Sequence, residues 1–139
     1  MGLLPPLPRP FVALLLLVSS HTVGVMSACA EWHLLDRSSN ATVYIDQETI
    51  NRTGDVVRVW VLDDLTNPHT RGLSRFSSVR AQEEHDCSRE RFRLVAIEQF
   101  AGNMGTGESI YKKSGESGWA PIPRGTMAQS VWKFVCGKK

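Results

Sequence analysis

Of the chain's three cysteines, only Cys87 and Cys136 lie beyond its apolar first thirty residues, and their fate constrains the fold most. Outside the cytoplasm two remaining thiols pair, whereas inside it they stay reduced. Pairing closes a loop of about fifty residues and restricts the unfolded chain by about 4 kcal/mol. That is a large share of the ~5–15 kcal/mol by which a domain is ordinarily stable. A metal site is the rival reading, but no CxxC or histidine-rich interval accompanies the thiols.

The N-terminus decides the compartment. Phe11 to Val18 is wholly apolar and follows Arg9 and the amino terminus. Such a run is too short for a bilayer span, which needs about twenty residues. Small and polar residues follow, ending Ser27-Ala28-Cys29-Ala30. This is the layout of a secretory signal. A buried helix is disfavoured because Pro5, Pro6, Pro8 and Pro10 crowd Leu3, Leu4 and Leu7. Residues 1–30 are therefore expected to be a signal peptide, and 31–139 a single exported domain in the periplasm or at the cell surface. Ala28-Cys29-Ala30 fits ordinary cleavage before Glu31. The alternative is a lipobox, Met26-Ser27-Ala28-Cys29, which would lipidate Cys29 and anchor the chain in a membrane; leucine usually stands where Met26 does. Either route leaves Cys87 and Cys136 as the pair.

Sixteen basic against fourteen acidic residues, a formal net charge of +2, excludes the strong basic excess of a dedicated nucleic-acid binder. Glu31 to Asp36 and Thr42 to Asp46 read as a hairpin around Ser38-Ser39-Asn40. Val56 to Leu62 is the strongest strand, with Val57, Val59 and Val61 on one face and Val56, Trp60 and Leu62 on the other. A strand apolar on both faces needs cover on both. Asp64 to Gly72, with Asn67-Pro68, reads as an exposed loop, and Leu73 to Glu84 as a long exposed strand at an edge. His85 to Ser88 is expected to turn, and Glu90 to Phe100 to resume a strand. The glycines around Met104 mark a tight turn, Glu108 to Lys112 a short strand, and Trp119 to Pro123 an extended segment. Thr126 can cap a helix carrying Met127, Val131, Phe134 and Val135 on one face, with Gly137 as its stop. That helix is expected to cover the second face of the Val56–Leu62 strand, tied down through Cys136.

No catalytic or metal-ligating constellation emerges, and no cofactor is expected. His33, His69 and His85 share no metal-binding interval. Glu83, Glu84 and Asp86 beside His85 read as a solvated strand end rather than acid–base machinery. Gly102, Gly105 and Gly107 lack the Lys-Ser/Thr ending of a phosphate-binding loop. Arg75, Arg80, Arg89, Arg91 and Arg93 are the candidate partner-binding residues, able to form a basic surface if their strands are neighbours. Against this, Glu83, Glu84 and Glu90 could neutralise them across the sheet.

Several segments together resemble the surface-adhesin protein E family of Gram-negative bacteria. They are Trp32, Val43-Tyr44-Ile45-Asp46, Ile50 and Arg52 before Gly54, and Val57-Arg58-Val59-Trp60-Val61. Further on come Ser77-Ser78, Asp86-Cys87, Met104-Gly105-Thr106-Gly107, Trp119 with Pro123 and Gly125, and Val135-Cys136. The resemblance implies an α+β fold, an antiparallel sheet of about six strands with a C-terminal helix packed on one face and held by a disulfide. It implies an adhesin contacting host matrix or serum proteins, such as vitronectin, laminin and plasminogen. The alternative is a periplasmic accessory or carrier of a small apolar ligand, held in a pocket between sheet and helix lined by Trp60, Trp119 and Trp132. An exposed edge strand leaves homodimerisation by sheet addition open.

Overall fold

The structure, a computed structural model, describes residues 2, 3 and 30–139. The expected signal peptide lies outside the described residues apart from positions 2, 3 and 30, and Cys29 is among those left out.

Six strands run in sequence order as an antiparallel meander: β1 Trp32–Arg37, β2 Ala41–Thr53, β3 Val56–Arg71, β4 Ser74–Asp86, β5 Arg91–Phe100 and β6 Ser109–Ser114. A seventh, β7 Ala120–Pro121, pairs with the start of β5. One helix, α1 Met127–Val135, closes the chain. Cys87 and Cys136 are joined, with Cα atoms 5.5 Å apart. This is the α+β architecture anticipated from the sequence.

The core lies between α1 and one face of the sheet. Val43, Ile45, Val57, Val59 and Val61 pack there against Val131 and Val135, with Leu35, Met127 and the disulfide alongside. Alternation at period two puts the three β3 valines on this face. The helix therefore covers the Val57–Val59–Val61 face, not the Trp60–Leu62 face as anticipated. On the opposite face Leu62 is covered by the Asn103–Gly105 turn and Phe100, while Arg80 lies over Trp60.

The helix is rotated from its expected facing. Trp132 is buried and Phe134 is 43% exposed. Anchors on both sides fix this rotation: Ser130 donates to Asp36 of β1, and the Trp132 indole N–H to the Asp86 carbonyl. The ends match the sequence reading. Thr126 Oγ1 accepts from the Gln129 amide. Gly137, at φ 64°, lets Gly137 and Lys138 donate back to Phe134 and Lys133.

Three strand expectations need correction. The Asp64–Gly72 loop is instead the second half of β3, and Pro68 sits where the β3–β4 register is interrupted between Asp64 and His69. A proline has no N–H for the ladder, so an irregularity is where a strand accommodates it. Leu73–Glu84 is not an edge, because β4 lies between β3 and β5. Its weak apolar alternation reflects buried polar residues: Ser77, Ser78, Glu84, His85 and Asp86 are all buried. Finally, His85 and Asp86 end β4, so the turn starts at Cys87.

Ser78 shows what those polar groups do. Its hydroxyl donates to Gly102 O at 2.6 Å and accepts from Gly105 N at 2.9 Å. Asp64 accepts from Met104 N at 2.7 Å, holding Met104 at φ 54°. The β3–β4 strands thus grip the Gly102–Gly107 turn. A Cβ on Gly102 would stand 2.5 Å from Thr106 Oγ1.

Candidate binding surface

Register brings three of the candidate arginines together. Arg91 and Arg93 open β5 two residues apart, so they share a face. Arg91 stands opposite Asp86, and Arg93 opposite Glu84. Arg58 of β3 stands opposite Glu84 from the other side. Glu84 accepts from Arg58 Nε at 3.0 Å and Arg93 Nε at 2.7 Å. Arg93 also reaches Glu116 at 2.8 Å. Asp86 accepts from Arg91 Nε at 3.0 Å, from Ser88 and from the Arg89 amide, and Arg89 Nη1 is 3.5 Å away.

The carboxylates lie beneath the cations. Glu84 and Asp86 are buried, while the Arg89 side chain is 69% exposed and that of Arg58 43% exposed. Burial works to raise the Asp86 pKa, but hydrogen bonds from Ser88, Arg91 and the Arg89 and Ser88 amides outweigh it and hold the group at about 2. Burial likewise opposes the ionised form of Glu84, and Arg58 and Arg93 together bring it below its ordinary value. The pairs are thus held as ions, with the Arg91 and Arg93 side chains 32% and 21% exposed above the carboxylates.

Trp119 completes this end of the sheet. Pairing of β7 with β5 brings it beside the arginines, with Arg91 and Arg93 4.7 and 4.6 Å from its ring centroid. Arginine over an indole face is a favourable cation–π contact. Arg89 continues the surface around the β4–β5 turn. It also lines an open cleft of about 730 Å³ whose walls carry Arg124, Lys133 and Lys138.

Arg80 and Arg75 lie outside this cluster. Arg80 is mid-strand, bound to Glu98 at 2.8 Å, with Lys112 on the same carboxylate at 3.9 Å. Arg75 is at the far end of β4, opposite Thr70 near the hairpin turn. Sequence reasoning missed Arg58 and Trp119 as members of the surface. Nothing local in the sequence marks Arg58, because its partner Glu84 is 26 residues away on the next strand.

The three tryptophans expected to share a pocket do not. A cavity of about 280 Å³ does lie between α1 and the sheet, but Val43, Val61, Phe92, Met127 and Val131 line it together with Asp63 and Glu83. Trp60 is on the opposite face, Trp119 lies against Arg91 and Arg93, and Trp132 borders the basic cleft. Among the described residues no group of three or more His, Cys, Asp or Glu could hold a metal ion. No described helix is long and apolar enough to cross a membrane.

An antiparallel six-stranded meander with a C-terminal helix pinned to it by a disulfide defines the fold class. The sequence profile described as surface-adhesin protein E matches residues 32–137, and the chain belongs to that family. Two solved structures of Haemophilus influenzae protein E share the fold. Crystal form II is 17% identical with a TM-score of 0.55, covering 74% of this chain and 91% of that one. Protein E from non-typeable H. influenzae is also 17% identical at 0.55, covering 81% and 79%. No curated protein matches the chain in sequence. The family is one of surface adhesins.

Proposed function

We propose that this chain is an exported adhesin that docks acidic segments of host extracellular-matrix or serum proteins on its arginine surface. The contact centres on Arg91, Trp119 and Arg93 and continues through Arg89 into the basic cleft. Arg80 and Arg75 are secondary contacts for a partner long enough to follow β4. The observation that carries this reading is the vertical order of the charges: buried carboxylates below, guanidinium faces and an indole above. Arginine and tryptophan are the side chains most enriched where protein interfaces draw their energy.

Export proceeds by cleavage before Glu31, with lipidation of Cys29 as the alternative route to a surface anchor. Intact-mass analysis of the mature chain separates the two. The edge strands β1 and β6 are where a second copy would add by sheet extension, which sedimentation tests.

The test of function is binding to immobilised laminin and vitronectin across a salt series. Saturable binding that weakens steeply as salt rises supports the reading, because exposed charges are screened within about 10 Å at 0.1 M salt. No saturable signal at low salt rules it out.

A further inference from the structure

On the face of the sheet turned away from α1, Trp32, Asp46 and Trp60 stand side by side on β1, β2 and β3. Trp32 is opposite Asp46, and Asp46 opposite Trp60. Residues opposed in an antiparallel ladder project to the same side. The three line a pocket of about 540 Å³ together with Glu31, Glu48 and Arg80.

The charges of this pocket do not balance. Asp46 is only 6% exposed, and the one hydrogen bond to its carboxylate among the described residues comes from the Glu48 amide at 3.2 Å. No Lys, Arg or His side chain among the described residues pairs with it, nor with Glu48. Arg80 is committed to Glu98. A nearly buried carboxylate without a cation is costly, and such groups are normally paired. Asp46 is also flanked by two indoles. Trp32 and Trp60 stand one strand away on either side of it, and an indole face attracts a cation that comes within ~6 Å of its centroid. Trp60 already shows the preference, since the Arg80 guanidinium sits 5.2 Å from its ring centroid.

We infer that the Trp32–Asp46–Trp60 pocket is a second binding site, taking an alkylammonium group between two indole walls with Asp46 as its counter-ion. The site lies apart from the Arg89, Arg91 and Arg93 cluster and selects the opposite charge. The ammonium comes from a small quaternary headgroup or from a lysine side chain of a partner. Aromatic walls with a carboxylate floor suit both, and the quaternary form best.

The test is a titration of intrinsic tryptophan fluorescence with choline, with Nα-acetyl-lysine amide, and with 3,3-dimethylbutan-1-ol as the uncharged isostere of choline. Choline is expected to give a saturable change at millimolar concentration, with the neutral alcohol weaker by about tenfold or more. Saturation by choline alone assigns the site to quaternary headgroups, and comparable saturation by the lysine derivative assigns it to protein side chains. Asp46→Asn keeps an acceptor for the Glu48 amide and is expected to lose the charge-dependent binding. Trp32→Leu and Glu48→Gln, at less buried positions, each weaken it and guard against a folding defect in the first variant. Equal binding of the alcohol, wild-type affinity in Asp46→Asn with an unchanged unfolding midpoint, or no saturation by either cation overturns the assignment.

Discussion

The indole N–H of Trp132 donates to the backbone carbonyl of Asp86 at 3.2 Å, one residue before the cysteine that bonds to Cys136. The same short stretch of β4 thus holds α1 by a hydrogen bond and by a covalent link. It also carries the buried carboxylate that organises Arg89 and Arg91. Fixing the helix and arranging the arginine surface are consequences of one strand end.

The disulfide closes a loop with a sequence separation of 49. Its removal by the Cys87→Ser, Cys136→Ser double variant is expected to lower stability by about 3–4 kcal/mol. Urea unfolding of the variant, and of the native chain with and without reductant, measures this.

Ser78 is fully buried and joins β4 to the Gly102–Gly107 turn by two hydrogen bonds. Ser78→Ala strands a carbonyl and an amide and is expected to cost about 2 kcal/mol. The loss is read as a lower thermal midpoint, with the amides of Gly102–Gly107 exchanging faster than those of β2.

Asp63 lies in the cavity beneath α1, near Glu83, which in turn contacts the buried His85 at 2.8 Å. Burial first, and the charge of Glu83 second, push its pKa up from 3.8 to about 7. The folded chain therefore keeps a proton that the unfolded chain releases above about pH 4. Stability attributable to this group falls as pH rises from 4 to 7 and then levels off. The displacement corresponds to at most about 4 kcal/mol, and the partial solvent access of Asp63 reduces the effect to about 1–2 kcal/mol. Asp63→Asn is expected to stabilise the protein by that amount at pH 8 and not at pH 3, as measured by urea unfolding at both values.

What the sequence made legible followed side-chain period. Val57, Val59 and Val61 declared β3, and Thr126 with Gly137 bracketed the helix, because local chemistry sets both patterns. The second half of β3 was hidden by Asn67-Pro68, a loop signal that the strand absorbs as an irregularity. β4 was hidden because it buries Ser78, Glu84 and Asp86, whose partners lie on other strands. Phe134 and Trp132, two residues apart, lie on nearly opposite sides of the helix, so only one can face the sheet, and the bond to Asp86 selects Trp132. The arginine surface follows the same logic: five candidates were visible, but only register shows that Arg89, Arg91 and Arg93 meet and that Arg58 joins them.

The decisive measurement compares two triple charge reversals for binding to immobilised laminin and vitronectin at low salt. One changes the exposed cations of the cleft, Arg89→Glu, Lys133→Glu and Lys138→Glu. The other changes exposed cations elsewhere, Arg37→Glu, Lys112→Glu and Lys113→Glu, for the same change in net charge. The expected result is loss of saturable binding in the first variant and retention in the second, with both unfolding cooperatively. Equal binding by the two would contradict an adhesive surface that runs from Arg91 and Arg93 through Arg89 into the basic cleft.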